Sequence, residues 1–265
     1  MHWLACGEGA LPPDDDWLAP AERDRLAGQR FTKRRTEYRL RRWAAKQAVA
    51  AVLGLEADPA RLAAVEVLNR PGGAPHVRLD GDDLALDVSL TDRAGWAVCL
   101  VGDRTAAGPG DALGVDLELV EPRSDAFVAD YFTATERDYM RGRPTREERD
   151  VAANLLWSAK ESALKVLQTG LRTDTRSVEV HLARGPARPD GWAALEVRPA
   201  GREPLPGWWR RDGAFVLTTA GAPPDPAAGP TAGPPTELGT AAALLATAVP
   251  VHSWQERPLT GPAGR

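Results

Sequence analysis

Residues 154–171 read NLLWSAKESALKVLQTGL, and this stretch determines how the rest of the chain is interpreted. Apolar residues recur on one side of it at about 100° per residue, as in a helix whose apolar side packs on a core. The residues on that side are Leu156, Ala159, Ala163, Val166 and Leu167. Trp157, Glu161 and Lys165 are four residues apart, so they lie along a different face. The pattern predicts one amphipathic helix that ends at Gly170.

A second polar pattern lies upstream, where the letters GVDLE begin at Gly114. In a strand, side chains alternate between faces, so Asp116 and Glu118 share the face of the glycine, which we expect to leave room for a ligand. Taken alone, Glu161 and Lys165 form an ordinary surface ion pair. Three carboxylates from a strand and a helix, however, can hold a hard cation such as Mg²⁺ together with phosphate oxygens. Lys165 then lies one helical turn from the metal, where a leaving phosphate can be.

The composition indicates a globular protein: the chain has 265 residues, 43% of them hydrophobic and 26% charged, which suits one large or two small domains. Cys6 and Cys99 show no metal-ligand spacing and no disulfide framework, so we expect a reducing, cytoplasmic setting. The four histidines are scattered, which argues against a zinc site but leaves a mixed carboxylate site open. The longest apolar stretches are too short to span a bilayer, and residues 1–17 lack the features of a signal peptide. We expect no membrane partner.

The formal charge of −4 conceals a strongly basic segment from Arg30 to Arg42, with seven basic residues and one acid, Glu37. Such a cluster attracts phosphates or acidic partners. The alternative is a solvated helix face, which the density of arginine disfavours without naming a ligand. We expect no nucleic acid, because the overall charge is negative and no interleaved aromatic platform accompanies the arginines.

The first half is predicted to contain a helical region and then short strands. Residues 1–20 are expected to be a loop, and 21–53 to be helical in two pieces, the second from about Thr36 to a stop at Gly54. The strands predicted here are 65–68, 84–90 and 96–101, with a turn at 70–75 and a loop at 91–95.

The second half repeats this plan in outline, after a linker at 102–110. The expected elements are a strand at 114–120, a short helix at 124–132, a helix from Glu136 capped by Thr135, a charged loop at 141–149, the long helix, and strands at 178–181, 192–197 and 214–219. The letters show no close repeat, but two such halves joined near residue 108 indicate duplication. From residue 220 the composition is typical of a linker or disorder, and we favour an unstructured tail over a small Ala-rich helix at 238–249.

From about Arg30 to Thr219, the chain resembles the 4′-phosphopantetheinyl transferases, specifically the monomeric, pseudo-dimeric class that activates peptide and polyketide synthases. GVDLE at 114–118 is similar to the family's G-x-D-x-E, and WSAKESALK at 157–165 to its W-x-x-K-E-x-x-x-K. Phe132 with Glu136 resembles the Phe-x-x-x-Glu stretch between these motifs, and residues 170–171 resemble the turn after them. The two motifs in this order make a specific signal, which neither makes alone.

The resemblance implies an α+β fold of two similar lobes, a pseudo-dimer with the active site in the cleft between them. We expect an N-terminal lobe at 1–108, a C-terminal lobe with the metal site at 109–221, and a disordered tail rich in Pro, Ala and Gly at 222–265. The implied enzyme is a monomer of secondary metabolite biosynthesis. It transfers the 4′-phosphopantetheine arm from coenzyme A to a serine of an acyl or peptidyl carrier domain, with Mg²⁺, and releases adenosine 3′,5′-bisphosphate.

Matched motif positions imply that Asp116, Glu118 and Glu161 bind Mg²⁺ and that Lys165 contacts the pyrophosphate. The coenzyme A contacts implied or considered are Arg30, Arg34, Arg39, Arg42, His76, Thr91, Asp92, Arg93, Lys160 and Lys165. Glu161 and Lys165 are the catalytic candidates, the first as a base for the serine, directly or through water, and the second at the leaving phosphate. Lys160 either reaches past the core to a phosphate or is structural, and Trp157 is expected in the core.

Two positions depart from the family pattern, in which a Gly-Lys-Pro turn and a Ser-His pair of the first lobe approach the coenzyme A phosphates. Here Ala74 takes the place of the Lys, and Asp92 that of the His. One cation is lost and one donor becomes an anion, which weakens the case for the usual binding pose but leaves the metal motif untouched. Arg70, Arg93 and His76 are candidates to compensate.

Two readings of the function therefore remain. One is an active transferase, favoured by the retention of Asp116, Glu118, Glu161 and Lys165. The other is a transferase-like protein that docks on carrier domains or holds coenzyme A without efficient turnover, favoured by Ala74 and Asp92.

Overall fold

The computed structural model describes residues 1–104, 113–183, 185, 187–222 and 233–251. The first elements in chain order are β1 (His2–Gly7), α1 (Pro20–Ala27), α2 (Thr32–Leu53), α3 (Pro59–Ala64), β2 (Val65–Asn69), β3 (Pro75–Leu79), β4 (Asp82–Asp83), β5 (Leu86–Arg93) and β6 (Trp96–Asp103). The elements that follow are β7 (Gly114–Leu119), α4 (Asp125–Tyr131), α5 (Ala134–Arg141), α6 (Arg146–Val166), β8 (Val178–Leu182), β9 (Ala193–Pro199), β10 (Leu205–Asp212), β11 (Phe215–Ala220), β12 (Thr236–Glu237) and α7 (Ala241–Ala246). The predicted α+β class is confirmed.

The described strands form three sheets. The first has the order β12-β1-β6-β5, the second β7-β11-β10-β9-β8, and the small third sheet β2-β3-β4. All pairings are antiparallel except that of β12 with β1. The first two sheets meet where β5 lies against β7, and the Ser89 hydroxyl there accepts a hydrogen bond from the Val115 amide at 3.0 Å.

Three apolar clusters place the two long helices on opposite sides of the paired sheets. The α2 helix packs on the first sheet through Leu40 and Val49, and α6 packs on the second through residues such as Leu156. Between the two sheets, Leu100 packs with Leu117 and other buried residues. The order of layers is therefore helix, sheet, sheet, helix, and the strand that carries the GVDLE letters lies near the middle.

The boundaries of α6 differ from the prediction because a capping box starts the helix earlier. The Glu148 carboxylate accepts from the Thr145 amide at 2.9 Å, and the Thr145 hydroxyl accepts from the Glu148 amide at 3.1 Å. Residues 146–149 are therefore helical, whereas we predicted a charged loop over 141–149. The helix ends at Val166, and Gly170 lies in the short 3₁₀ turn that follows, with φ of +54°.

Other helix and strand boundaries also needed correction. A second capping box begins α5 at Thr133, not at Thr135 as we predicted. The α2 helix begins earlier than predicted and stops at Gly54 as expected, with that glycine in the left-handed region at φ +66°. Strand β5 continues through residues 91–93, where we predicted a loop, and β1 and β10 were not predicted.

Each half of the chain contains the same buried ion pair in the same setting. Lys46 binds Glu22 at 2.6 Å in the first half, and Lys160 binds Glu136 at 2.9 Å in the second. Each lysine also donates to two backbone carbonyls at or just before the strand that follows, β2 or β8. The same number of residues separates acid and lysine in both halves, so WAAK at 43–46 and WSAK at 157–160 occupy equivalent places. The two halves therefore share a short equivalent segment, although their letters show no close repeat.

Residues 233–251, here named the strap, run back across the body of the protein. The Thr236 amide donates to the Met1 carbonyl at 3.0 Å, and β12 lies parallel to β1. Leu245 of α7 is fully buried in the cluster between the sheets, and the Val251 amide donates to the Ala94 carbonyl at 2.8 Å. The strap has defined structure where we expected an unstructured tail. Residues 223–232 and 252–265, and most of the predicted linker, lie outside the described residues.

No helix in the described part of the chain is both long and apolar enough to cross a bilayer.

Candidate functional site

Strand β7 and helix α6 bring the predicted carboxylates into one electrostatic neighbourhood. Asp116 and Glu118 are buried on β7, and the Ser158 hydroxyl of α6 donates to the Asp116 carbonyl at 3.1 Å. Burial first, and then the charge of Asp116, raises the pKa of Glu118 to about 7. The same two causes raise the pKa of Glu161, which is half-buried on α6, to about 6, against the opposing effect of Lys165.

Asp116 is the centre of a small polar network. Lys165 contacts its Oδ1 at 3.0 Å and donates to the Val115 carbonyl at 2.7 Å. The Thr91 hydroxyl donates to the same Oδ1 at 3.1 Å. The other oxygen, Oδ2, is buried without a hydrogen-bond partner among the described residues. A buried carboxylate oxygen left unpaired is costly and is explained most simply by a ligand that completes the site.

Glu118 is held by arginines in this structure. Arg123 contacts its Oε2 at 2.9 Å and Arg93 at 3.3 Å, and Arg93 also pairs with Glu121. Both arginines lower the pKa of Glu118 and so oppose the larger effects of burial and Asp116.

These residues fit Mg²⁺ in donor chemistry but do not form a closed ligand set. Asp116, Glu118 and Glu161 offer the carboxylate oxygens that this ion prefers, and the unpaired Oδ2 of Asp116 provides a vacant acceptor. Within the described ranges, however, no three or more His, Cys, Asp or Glu side chains are grouped as a metal site. The predicted convergence of the three carboxylates on one cation is not seen with the side chains as they stand, and the metal role stays a prediction.

Gly114 serves the fold and not the ligand. A Cβ atom at this position would lie 1.9 Å from the Ser162 carbonyl oxygen. The expectation that this glycine leaves room for a ligand is therefore wrong, since the backbone of α6 fills the space. This close approach of helix and strand is what brings Glu161 and Lys165 to Asp116.

A cavity of about 730 Å³ lies beside Lys165. Its wall comes from α1, α2, the turn between β2 and β3, β5 and the end of α6 with the turn that follows. The described wall has one acidic residue, Asp87. Its basic residues are Arg25, Arg41, Arg42, Lys165 and Arg172. A polar, cationic space of this size suits a small ligand that carries several phosphates.

Only part of the predicted basic cluster reaches this cavity. Arg42 lies in the wall, where it donates to the Asn69 side chain at 2.8 Å and lies 4.7 Å above the Tyr38 ring. Arg39 instead binds Asp15 at 2.7 Å and two nearby carbonyls, which ties α2 to the N-terminal loop.

Several other candidate ligands lie outside the cavity wall. Arg34 is exposed and lies 3.5 Å from Glu37, and Arg30 is exposed as well. His76 is half-buried, and burial followed by the charge of Arg70 lowers its pKa. The expectation that Lys160 contacts a phosphate is contradicted, since that side chain is fully buried in its ion pair and its two carbonyl contacts. These contacts favour the alternative, a structural role.

The structure also shows cavity residues that we did not predict as ligands. Arg41 lay inside the basic cluster but was not singled out, and it pairs with Asp92, which does not pair with the adjacent Arg93. Arg172 follows the turn at 170–171 that carried part of the resemblance, and this position was the available signal. Arg25 had no sequence signal. Trp157 is buried against Phe127 and other aromatic rings, as expected.

Carboxylates beside a lysine, at the edge of a cationic cavity, are groups suited to chemistry on a phosphate-linked ligand. Comparison with protein families gives the more particular assignment. Residues 112–190 match the family model of the 4′-phosphopantetheinyl transferase superfamily. This segment, which includes β7, α6 and all four of Asp116, Glu118, Glu161 and Lys165, is similar to that superfamily of transferases. A comparison with curated proteins finds no match.

Proposed function

We propose that the protein transfers the 4′-phosphopantetheine arm of coenzyme A to a serine of an acyl or peptidyl carrier domain, in the presence of Mg²⁺. The observation that carries this proposal is the double role of Lys165. Its ammonium group contacts Asp116 of the carboxylate site, and its side chain also lines the cationic cavity. A ligand with its nucleotide in the cavity therefore brings its pyrophosphate to the carboxylates.

In the proposed reaction, the residues of the site position the substrate and stabilise the charge that develops on the leaving group. The serine oxygen forms a bond to the phosphorus that carries the pantetheine arm, and the bond from that phosphorus to the bridging pyrophosphate oxygen breaks. The leaving group is adenosine 3′,5′-bisphosphate, and Lys165 offsets the negative charge that develops on it. Asp116, Glu118 and Glu161 would hold Mg²⁺, which supplies further positive charge at the pyrophosphate.

Glu161 is the proposed acceptor of the serine proton, directly or through a water. Its raised pKa of about 6 makes the carboxylate a better base than an ordinary glutamate while leaving it mostly ionised near neutral pH. A carboxylate that binds a cation is a weaker base. If both oxygens of Glu161 bind the cation, the serine proton is transferred to water.

A second cavity, of about 760 Å³, fits the protein substrate. It lies between α4, α5 and the first turns of α6, with Val128, Met140 and Ala153 in its wall. Its basic residues are Arg123, Arg137, Arg141, Arg146 and Arg149, against the acids Asp125 and Asp150. Because Arg123 also contacts Glu118, this groove adjoins the carboxylate site. We propose that the carrier domain docks here with a surface of acidic side chains around apolar ones.

The deciding experiment is incubation with coenzyme A, Mg²⁺ and a panel of apo-carrier domains, followed by intact-mass measurement. We expect the mass gain of one phosphopantetheine group on at least one domain, and its loss in Asp116→Asn and Lys165→Met. The matched control is Arg61→Ala, which removes an exposed arginine 3.7 Å from Asp80, far along the chain from the site. Tight coenzyme A binding without any mass gain across the panel would refute the transferase and support the binding protein, which Ala74 and Asp92 favour.

A further inference from the structure

The end of β5 sends its side chains in two directions. Ser89 and Thr91 contact the amides of Val115 and Leu117 on β7, at 3.0 Å and 3.3 Å. Because strand side chains alternate, Asp92 points away from β7 and toward α2. The place at which the family has a histidine is therefore not part of the carboxylate site in this chain.

On the α2 side, Asp92 forms an ion pair with Arg41. Both side chains are largely shielded, with 27% of Arg41 and 17% of Asp92 exposed. Arg41 also lines the cationic cavity, whereas Asp92 does not. One edge of the guanidinium is thus fixed by Asp92, and a guanidinium has five N–H donors, so donors remain for a ligand in the cavity.

Two of the other cations in the cavity wall, Arg42 and Lys165, already have protein partners. Arg42 is held by Asn69 and lies near Glu22, at 3.8 Å. Lys165 is on α6 and belongs to the carboxylate site. Arg41 is on α2 and lines the same cavity from a different element than Lys165.

We propose that Arg41, held in place by Asp92, binds the 3′-phosphate of coenzyme A and replaces the lysine and histidine that this chain lacks. Asp92 is a positioning residue that orients the guanidinium, and its charge is balanced by Arg41 and not by the ligand. The arrangement is selective, because a rigid planar fork suits a phosphate monoester and gives little to a ligand without one. The proposal rests on the proposed function, since it takes coenzyme A as the ligand.

The test compares coenzyme A with dephospho-coenzyme A, which lacks only the 3′-phosphate, by calorimetric titration. We expect Arg41→Ala to weaken coenzyme A binding by about tenfold, the loss of one charge-assisted contact. Dephospho-coenzyme A should bind wild type and Arg41→Ala with affinities that agree within about twofold. Arg41→Lys should be intermediate for coenzyme A, because the charge remains and the fork is lost. Arg61→Ala is the control and should change neither affinity.

Asp92 is tested through its dependence on Arg41. Asp92→Asn should weaken coenzyme A binding severalfold in wild type and have no further effect in the Arg41→Ala background. If Asp92→Asn or Asp92→His tightens binding, Asp92 repels the ligand and the positioning role is refuted. Equal losses of both ligands in Arg41→Ala would refute the 3′-phosphate assignment. If thermal melting shows that Arg41→Ala is poorly folded, the affinities for coenzyme A and dephospho-coenzyme A are compared in Arg41→Lys and Asp92→Asn instead.

This test separates the two proposals. Transfer from coenzyme A by wild type, measured first, stands whether or not Arg41 matters. Absence of both transfer and coenzyme A binding in wild type refutes the proposed function itself. Normal transfer with no discrimination between the two ligands refutes only the role of Arg41.

Discussion

Glu118 is a buried carboxyl group beside a second carboxylate, and burial and Asp116 raise its pKa from 4.5 to about 7. Between those two values the folded protein holds a proton that the unfolded chain has released. The stabilisation is fully present below the unfolded pKa and is lost as the pH rises through the folded pKa. Glu161 shifts in the same direction, to about 6.

The metal-free protein is therefore expected to lose stability as the pH rises from about 5 to about 8. The contribution of Glu118 is on the order of 3 kcal/mol. In urea unfolding with chelator present, the free energy of unfolding should fall less with rising pH for Glu118→Gln than for wild type. Added Mg²⁺ should reduce this fall in wild type, because a cation that binds the ionised carboxylates stabilises the folded state. If the difference in free energy of unfolding between wild type and Glu118→Gln does not change with pH, the raised pKa of Glu118 is contradicted.

Lys160 is the residue whose role the structure changes most. Removal of one partner of a buried, hydrogen-bonded ion pair leaves an uncompensated charge and costs about 3–5 kcal/mol. Lys160→Met is expected to lose that much stability in urea unfolding, because Glu136 remains buried, and Lys46→Met in the other half should behave alike. Protein that stays folded should bind coenzyme A as wild type does. A stable Lys160→Met with weakened coenzyme A binding would restore the ligand role.

At the scale of elements, the contact of β7 with α6 depends on Gly114. A Cβ there would also lie 2.7 Å from the Ser162 carbonyl carbon, and both clashes involve backbone that cannot rotate away. Gly114→Ala should push α6 off the strand and cost about 1–3 kcal/mol or more. Transfer should fall further than the loss of folded protein explains, because Glu161 and Lys165 move with the helix.

The control for this substitution is Gly221→Ala, since no atom lies within 4 Å of a Cβ at that glycine and its φ is not in the left-handed region. Thermal melting and initial transfer rates of both variants make the comparison. Equal effects of the two substitutions would show that helix and strand are not in close contact at Gly114.

The sequence predicts the site elements better than their surroundings. The long helix and β7 could be predicted because three signals indicate the same element in each case. These are the period of the apolar residues, the residues at the ends of the element and the spacing of the motif. Strand β10 was missed because it carries polar letters inside the protein, where Arg210 and Asp212 neutralise each other at 2.6 Å. Burial of a paired charge leaves no apolar alternation to read.

The basic cluster shows a second limit. Its letters indicate a cationic helix but not which side chains face a ligand, since partners distant in sequence decide that. Arg39 is taken by the N-terminal loop, and Arg41 is directed by Asp92, which lies 51 residues away along the chain. Such pairings arise from the tertiary fold and leave no local pattern.

At the scale of the whole molecule, the strap joins parts that are far apart in sequence. It pairs with β1, covers the cluster between the sheets with Leu245, and ends at the turn after β5 that adjoins Asp92 and Arg93. A chain truncated after Gly221 exposes this apolar cluster. We expect it to lose on the order of 3 kcal/mol, about the burial of one or two apolar side chains.

Thermal and urea unfolding of the truncated chain measure this loss, and a chain that ends at Val251 is the control because it keeps the strap. If both truncations melt like the full chain, the strap contributes nothing to the folded state. Transfer by the truncated chain should also fall, because the turn that it releases directly follows Arg93, which contacts Glu118.

The pairing of β12 with β1 has a consequence for biosynthesis. Among the described strands β1 is the first to be translated and β12 the last, so this edge of the first sheet closes only when nearly all described residues have been made. Until then β1 pairs with β6 alone and offers its other edge to any strand nearby, including that of a neighbouring nascent chain. The two residues of β12 cover this edge only late in synthesis, so the ribosome-bound chain exposes an edge that the folded protein covers.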